Sequence, residues 1–280
     1  MKTTTFYKAM LCIFLLFASV RSNYAQVLLQ SPANAPVSGI GGIYSPLSDT
    51  RAALGNPAGL AFNQQTSISA SIERKFVLKE LQTVSLAACL PLANWGGLAA
   101  CIESGGFEAF RQTRVGLAYG KNLIAEKFAL GLRLWWLQTS IPDYCNAGLP
   151  SFDLGIMGKL SEKIMVGVYA ASPVRVKLAS EPLDGLIRWG LAYMPSFKVT
   201  IFAELEKDFR HPLTGKTGIE YCPVPQLVLR CGWNSEPAAI YAGLGFFITR
   251  QWSIDWAFSY HQWLGFSPVF SIYFRQKKQK

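Results

Sequence analysis

The sequence of 280 residues is 50% hydrophobic and only 16% charged, with 8 Trp, 11 Tyr and 18 Phe and a formal charge of +10. This composition excludes an intrinsically disordered chain. Beyond the N-terminus, glycine or a polar residue interrupts every apolar run before about 18 residues, which excludes a bundle of membrane-spanning helices. A protein with a large core or a transmembrane β-barrel remains.

Residues 1–25 have the features of a secretory signal peptide. Lys2 and Lys8 lie in a basic start, residues 9–20 form an apolar core, and cleavage would follow Ala25. A retained membrane anchor is disfavoured, because the core of about a dozen residues is shorter than the roughly 20 that a spanning helix needs. Cleavage would leave a formal charge of +7 from the original +10.

Residues 26–65 are rich in Gly, Pro, Ala and Ser and show no strand-like alternation. They contain the run Asn56-Pro57-Ala58-Gly59-Leu60 shortly before the first predicted strand. Proline restricts the residue before it to extended backbone, and we expect Gly59 to permit a turn. The segment is therefore predicted to be compact and irregular.

From Thr66 onward, apolar and polar residues alternate in segments of about eight to ten residues, which is the pattern of β-strands. In the first segment, Ile68, Ala70 and Ile72 share one face of the strand. Fourteen such segments predict an antiparallel transmembrane β-barrel over residues 66–275. The predicted strands are 66–74, 84–90, 98–102, 115–119, 128–136, 152–156, 164–168, 187–193, 197–205, 217–221, 227–233, 240–248, 254–260 and 270–274.

The connections between the predicted strands alternate in length. Those after even-numbered strands are short, whereas residues 138–151, 172–186 and 207–215 form longer polar connections after odd-numbered strands. Short turns on one side and longer loops on the other are typical of outer-membrane barrels.

Nine charged side chains point into the barrel if the apolar face of each strand points outward. They are Glu73, Arg114, Arg133, Asp153, Arg188, Glu204, Glu220, Arg230 and Asp255. This agrees with the assignment, because an arginine at mid-bilayer depth costs roughly 2–4 kcal/mol on the lipid face. The charges either form ion pairs that fill and stiffen the barrel, or they line a permeation path or binding pocket.

Glycine recurs on the inner face of the predicted hairpins. One instance is Gly116-Leu117-Ala118-Tyr119, and related segments begin at Gly190, Gly218 and Gly243. Inward glycine leaves space in a lumen, and the aromatic residue at the strand end suits a membrane interface. This repeat identifies architecture rather than activity.

The final predicted strand ends in aromatic residues, with Phe270, Ile272 and Phe274 facing outward. Such a strand resembles the signal that the barrel-assembly machinery recognises. Residues 276–280 follow as a basic tail, which we interpret as a solvated terminus.

The motif Asn56-Pro57-Ala58-Gly59-Leu60 resembles the N-terminal signature of FadL-like outer-membrane transporters and of the related PorV/PorQ proteins of Bacteroidetes. The closing strands, 254–258 and 264–274, are similar to those of the same family. The resemblance implies a fourteen-stranded barrel in the outer membrane of a Gram-negative cell, with residues 26–65 folded inward as a hatch. The chain is shorter than the fatty-acid transporters, so their substrate-contacting residues do not carry over.

Two functions follow from this resemblance. The first is passive uptake of small hydrophobic or amphipathic compounds, with the hatch motif as a gate. The second is a non-transporting role like that of PorV/PorQ, in type IX protein secretion or outer-membrane assembly, with secretion-system proteins as partners. Outer-membrane lipid and lipopolysaccharide are further expected contacts. Scattered lysines and arginines do not indicate nucleic-acid binding.

An outer-membrane enzyme is a remote third interpretation. It would need His211 or His261 as a base, for example with Ser259 as a nucleophile, but no nucleophile motif accompanies them. No Cys-x-x-Cys pair, metal-ligand spacing or phosphate-binding glycine loop is present in the sequence, so we predict no catalytic residues, metal or cofactor. Cys145 is expected in a polar loop.

Overall fold

A computed structural model describes residues 33–276 except 125–126, 143–144, 173–176, 179–180, 183–184 and 209–210. The predicted signal peptide lies outside these residues, as does most of the basic tail. The described chain forms a closed antiparallel barrel of fourteen strands in sequential order, which confirms the predicted fold class and strand number. No helix among the described residues is long and apolar enough to cross a membrane.

The strands follow one another with few interruptions. The first seven are β1 (Ser67–Arg74), β2 (Gln82–Pro91), β3 (Gly97–Phe107), β4 (Phe110–Ile124), β5 (Phe128–Ile141), β6 (Cys145–Ser161) and β7 (Ile164–Ala171). The remaining seven are β8 (Leu186–Ser196), β9 (Val199–Asp208), β10 (Thr214–Val224), β11 (Leu227–Ser235), β12 (Ala238–Phe247), β13 (Trp252–His261) and β14 (Gly265–Arg275). A short ribbon of Lys177–Leu178 and Glu181–Pro182 lies between β7 and β8.

The barrel closes where β1 pairs with β14. In this pairing, Ser71 lies opposite Ser271 on the inner face, and Ile72 lies opposite Phe270 on the outer face. Ile68 is 52% exposed, whereas Ser67, its neighbour on the other face, is 1% exposed. The period of two in the sequence therefore separates an apolar outer surface from a polar inner one.

Large apolar side chains cover the outside of the barrel, as a lipid-facing surface requires. Aromatic pairs lie near the strand ends, with ring centroids 4.9 Å apart for Trp252 and Phe274 and for Tyr260 and Phe266. Aromatic residues at both ends of an apolar band are typical of membrane interfaces.

The two ends of the barrel differ in their connections. The turn end, where β14 finishes, carries short turns such as residues 162–163 and 197–198. The opposite end, the loop end, carries the longest connections, 75–81 and 172–185. The predicted alternation holds only in part, because the loop-end connections 108–109 and 236–237 are as short as the turns.

The predicted loop over residues 138–151 was wrong. β5 continues to Ile141 and β6 begins at Cys145, with Leu137 paired to Leu149. Both leucines face inward and are buried, so the alternation continues although the outward residues become polar. Cys145 consequently begins a strand instead of lying in a loop. Phe197, assigned to the ninth strand, lies in the preceding turn and is fully exposed.

The hatch, residues 26–65, is described from residue 33, and this described part contains three short helices. They are the α-helix α1 (Ala35–Gly39) and the 3-10 helices Thr50–Ala53 and Pro57–Phe62. Each begins after an Asn or Asp whose side chain accepts a backbone N–H of the first turn, namely Asn34, Asp49 and Asn56. These N-caps account for local helical order in a segment rich in Gly and Pro.

Three more 3-10 helices lie in the connections between strands. Lys75–Val77 and Lys79–Leu81 form the β1–β2 connection at the loop end. Ala93–Trp95 lies in the β2–β3 turn, where Tyr119 donates a hydrogen bond to the Trp95 carbonyl over 2.5 Å.

The hatch fills the middle of the barrel and supplies about half of its main hydrophobic cluster. Ile40, Ile43, Tyr44, Leu54 and Leu60 are each no more than 2% exposed. Each such side chain contributes roughly 1.5–3 kcal/mol when fully buried. The inner wall is mostly polar or small, so the barrel and hatch depend on one another for a packed interior.

Candidate functional site

The inner wall carries glycine where the hatch touches it. These glycines are Gly97, Gly120, Gly131, Gly155, Gly167, Gly190, Gly218, Gly232 and Gly243. A Cβ added at any of them would lie 3.1 Å or less from a hatch atom, and at Gly167 it would lie 1.9 Å from the Ser45 carbonyl oxygen. The glycines therefore allow the hatch backbone to lie directly on the strands.

The four repeated glycines were expected to leave space in the lumen. At three of them the hatch occupies that space. Gly190, Gly218 and Gly243 each contact hatch atoms, whereas the space beside Gly116 is filled by the Trp135 ring. Gly59 has a similar role within the hatch, because a Cβ there would lie 2.1 Å from the Leu47 carbonyl oxygen. Gly59 also lies in the expected turn, because its N–H donates to the Asn56 carbonyl at 3.1 Å within the Pro57–Phe62 helix.

Asn56 attaches the hatch motif to the wall. Its side-chain Nδ2 donates to the carbonyls of Ser45 at 2.8 Å, Ile156 at 3.1 Å and Val168 at 3.3 Å, while Oδ1 accepts from the Ala58 N–H at 3.1 Å. Asn56 is fully buried. One amide therefore caps a helix, joins two parts of the hatch and contacts β6 and β7.

We expect Asn56→Ala to lower the free energy of unfolding by about 2–3 kcal/mol, because a cap is lost and buried carbonyls lose their donor. Urea unfolding of the protein in lipid vesicles, followed by tryptophan fluorescence, would measure this loss. Asn63→Ala is the matched control, because Asn63 ends the same helix and its side chain bonds only to Gln65 at the exposed surface. Equal losses in both variants would contradict an anchoring role for Asn56.

Glu204 on β9, two strands along the wall from β7, binds a turn of the hatch. Its Oε2 accepts from the Tyr44 N–H at 3.0 Å, the Ser45 N–H at 2.8 Å and the Ser45 hydroxyl at 2.5 Å. Arg188 and Lys216 lie 3.8 Å from its other oxygen, Oε1. The carboxylate thus joins a hatch turn to a cationic patch of the wall.

A second cluster surrounds Asp153 on β6. Its Oδ2 accepts from Arg133 Nη2 at 2.7 Å, Trp135 Nε1 at 2.6 Å and the Tyr169 hydroxyl at 2.9 Å. Arg133 also donates to the Ala53 carbonyl of the hatch at 2.7 Å. Arg133 and Asp153 are almost completely buried, so their charges are compensated by each other and by these hydrogen bonds.

A third cluster joins the hatch to strands β10, β11 and β13. Arg51 of the hatch donates to Glu220 at 3.3 Å and binds Asp49 at 2.8 Å. Arg230 binds Glu220 at 2.7 Å and Asp255 at 2.6 Å. The three clusters therefore contact the hatch on several sides of the barrel.

The structure places all nine charged residues from the sequence on the inner face. Eight are bonded: Arg114 pairs with Glu103, and the other seven belong to the three clusters. Glu73 differs, because no hydrogen bond or ion pair joins its side chain to another described residue.

Sequence reasoning missed several charged residues of the lumen. Glu103, Glu206 and Lys216 lie on the inner face, and Asp49 and Arg51 reach it from the hatch. The strand alternation places Glu103, Glu206 and Lys216 inward and could have found them. No sequence signal indicates the hatch pair, because it lies in an irregular segment.

Two cavities lie at opposite ends of the barrel. The cavity at the loop end has a volume of about 420 Å³ and is bounded by the hatch, the strand ends and the β1–β2 connection. The cavity at the turn end has about 610 Å³ and includes Phe62, Asn122 and Met194. They share no lining residue, and the buried hatch residues lie between them.

No hydrogen bond joins Ser259 to His261 or His211 among the described residues. Ser259 and His261 both line the loop-end cavity. His261 Nδ1 accepts the N–H groups of Trp263 at 3.2 Å and Leu264 at 3.3 Å, so this nitrogen caps a turn. His211 lies 2.9 Å from Asp208 in another connection. No cluster of metal-ligating side chains occurs in the described part of the chain.

The fold and the filled lumen define a transmembrane β-barrel with an internal N-terminal hatch. The CymD monoaromatic hydrocarbon channel is similar, with a TM-score of 0.67 and 12% identity over 91% of this chain and 100% of that chain. The toluene transporter TbuX of Ralstonia pickettii has a TM-score of 0.66 and 11% identity over 90% of this chain and 100% of that chain.

A FadL homologue from Pseudomonas aeruginosa has a TM-score of 0.65 and 11% identity over 88% of this chain and 98% of that chain. The chain thus shares the fold of these proteins, of which CymD is described as a channel and TbuX as a transporter. No family model and no curated protein matches the sequence.

Proposed function

We propose that the protein lies in the outer membrane of a Gram-negative cell and takes up small hydrophobic or amphipathic compounds passively. The main support is its fold, which it shares with proteins described as a monoaromatic hydrocarbon channel and a toluene transporter. The loop end would face outward into the lipopolysaccharide, and the signal peptide would direct export. The barrel-assembly machinery would recognise β14 during insertion.

The two cavities support the same function. The loop-end cavity would receive a compound, and the turn-end cavity would release it toward the periplasm. Because buried hatch residues separate the cavities, passage requires part of the hatch to shift. In this proposal the Asn56–Leu60 motif holds the closed state, and the lumen charges position the hatch.

Uptake should be measured in vesicles whose outer leaflet is lipopolysaccharide, because a plain phospholipid bilayer is itself permeable to toluene. We expect vesicles that contain the protein to take up labelled toluene several-fold faster than protein-free vesicles. Asn56→Ala should raise the rate further, because it weakens the attachment of the hatch. A rate equal to that of protein-free vesicles, with both wild type and Asn56→Ala, would contradict uptake.

The closed lumen favours a second candidate function. In a PorV/PorQ-like role, the protein would bind subunits of the type IX secretion machinery or secreted proteins, and a fixed hatch would simply fill the barrel. Affinity purification from native membranes would then recover a stoichiometric secretion-system partner. Recovery of the barrel alone would count against this alternative.

A further inference from the structure

The loop-end cavity has a polar floor and an apolar roof. Asn34 of the hatch and Glu73 of β1 belong to its polar lining, and Phe76, Leu81 and Pro237 supply apolar surface near the loops. A cavity of about 420 Å³ with this division fits a small amphipathic compound better than a pure hydrocarbon.

Glu73 is a lumen carboxylate that forms no ion pair within 4.0 Å with another described residue. Glu206, which lines the same cavity, binds Lys216 at 2.7 Å. Lys75 also lines the cavity, but no ion pair within 4.0 Å joins it to Glu73. Glu73 is only partly exposed, and a partly desolvated carboxylate without an ion pair favours a cation that enters the cavity.

Asn34 adds a second unmet group to the same cavity. Its Oδ1 accepts from the Val37 N–H at 3.2 Å and the Tyr273 hydroxyl at 2.9 Å, whereas its Nδ2 has no hydrogen-bond acceptor among the described residues. Asn34 is only 1% exposed. A buried amide donor without a partner costs about 1–3 kcal/mol, which indicates that something else completes the floor.

The roof is held over the cavity by a strained backbone. Phe76 and Val77 have φ values of 55° and 61°, a region that costs non-glycine residues on the order of 1–3 kcal/mol each. The Phe76 N–H donates to the Ser267 hydroxyl at 2.9 Å, and its ring meets His261 edge-on at 6.2 Å. These contacts keep the aromatic ring at the cavity.

We propose that this cavity binds a small amphipathic amine, with its ammonium group on Glu73 and its apolar body beneath Phe76 and Leu81. Asn34 Nδ2 donates to an oxygen substituent of the compound or to a water beside it. This inference rests on the proposed uptake function and names the head group that the entry site selects. Glu73 supplies the selectivity, because of the two strand carboxylates that line the cavity it is the one without an ion pair, whereas Glu206 is bound to Lys216.

Binding should be measured by calorimetry with the protein in nanodiscs, with empty nanodiscs as the blank. The probes share one skeleton and differ in head group: 2-phenylethylamine, 2-phenylethanol, phenylacetate and ethylbenzene. We expect the amine to bind at least tenfold more tightly than the alcohol, and phenylacetate to bind most weakly. Equal affinities for amine and alcohol, or a preference for phenylacetate, would overturn the proposal.

Glu73→Gln should remove the preference for the amine and leave ethylbenzene binding unchanged. Since Glu73 has no bonded partner, this variant should fold as the wild type does. Glu236→Gln is the matched control, because Glu236 lines the same cavity but is exposed. If both variants lost the same amine affinity, the amine would be responding to the overall negative charge of the cavity rather than to a site at Glu73. That result would overturn the proposal.

The uptake assay separates this inference from the proposed function. Toluene uptake without any preference for the amine would refute the amine site alone. Glu73-dependent amine binding without uptake of either compound would support the site and refute the transport function.

Discussion

Gly131→Ala is expected to displace the hatch while the barrel stays closed. The added Cβ would lie 2.1 Å from the Ala58 nitrogen and 2.3 Å from the Pro57 carbonyl carbon. Both are backbone atoms, so no side-chain rotation relieves the clash and the hatch motif itself must move. We expect the free energy of unfolding to fall by at least about 3 kcal/mol.

Gly158→Ala is the matched control, because the nearest atoms to its added Cβ lie at 3.5 Å and beyond. It should change the free energy of unfolding by less than about 1 kcal/mol. Limited proteolysis should cut the hatch of Gly131→Ala rapidly, while far-UV circular dichroism retains the barrel signal. Similar proteolysis of the two variants would show that the wall glycines do not seat the hatch.

Glu204→Ala is the second change with a large expected effect. It removes the acceptor of three hydrogen bonds from the hatch. Arg188 and Lys216 then keep only one carboxylate of this cluster, that of Glu206. Removing one member of a buried charged cluster typically costs about 3–5 kcal/mol. We expect a loss of that size in urea unfolding.

Two further variants identify the source of that loss. Glu204→Gln keeps an acceptor oxygen in a side chain of similar shape but removes the charge. We expect it to lose about half as much unfolding free energy as Glu204→Ala, and the difference between the two variants separates hydrogen bonding from charge. Glu162→Ala removes a carboxylate that pairs with Lys159 at 3.0 Å but is 90% exposed, and should cost no more than about 1 kcal/mol. A Glu204→Ala loss no larger than that of Glu162→Ala would refute the anchoring role.

Much of the barrel could be predicted because its strands follow one simple rule. Apolar residues such as Ile68 and Ile72 must face lipid, so every second residue of each strand is apolar. The rule weakens where strands extend past the apolar band. Residues 138–151 were therefore mistaken for a loop, although pairing and inward burial continue there.

The candidate site was predictable only in part. Alternation placed Glu73 and Glu204 on the inner face, but it does not reveal which acids are paired. The role of Arg51 could not be predicted, because it lies in an irregular segment and binds Glu220, which is 169 residues away in the sequence. Gly59 was expected to permit a turn and lies in one, but its close approach to Leu47 was not predicted.

The sequence by itself determined the class of fold, the number of strands and the direction of most side chains, because these follow from local alternation between lipid and lumen. Only the tertiary structure decided that the hatch fills the barrel and that the inward glycines support it. It also decided which of the inward strand charges are paired and that Glu73 forms no ion pair with a described residue. Those features depend on contacts between residues distant in the chain, which no local pattern encodes.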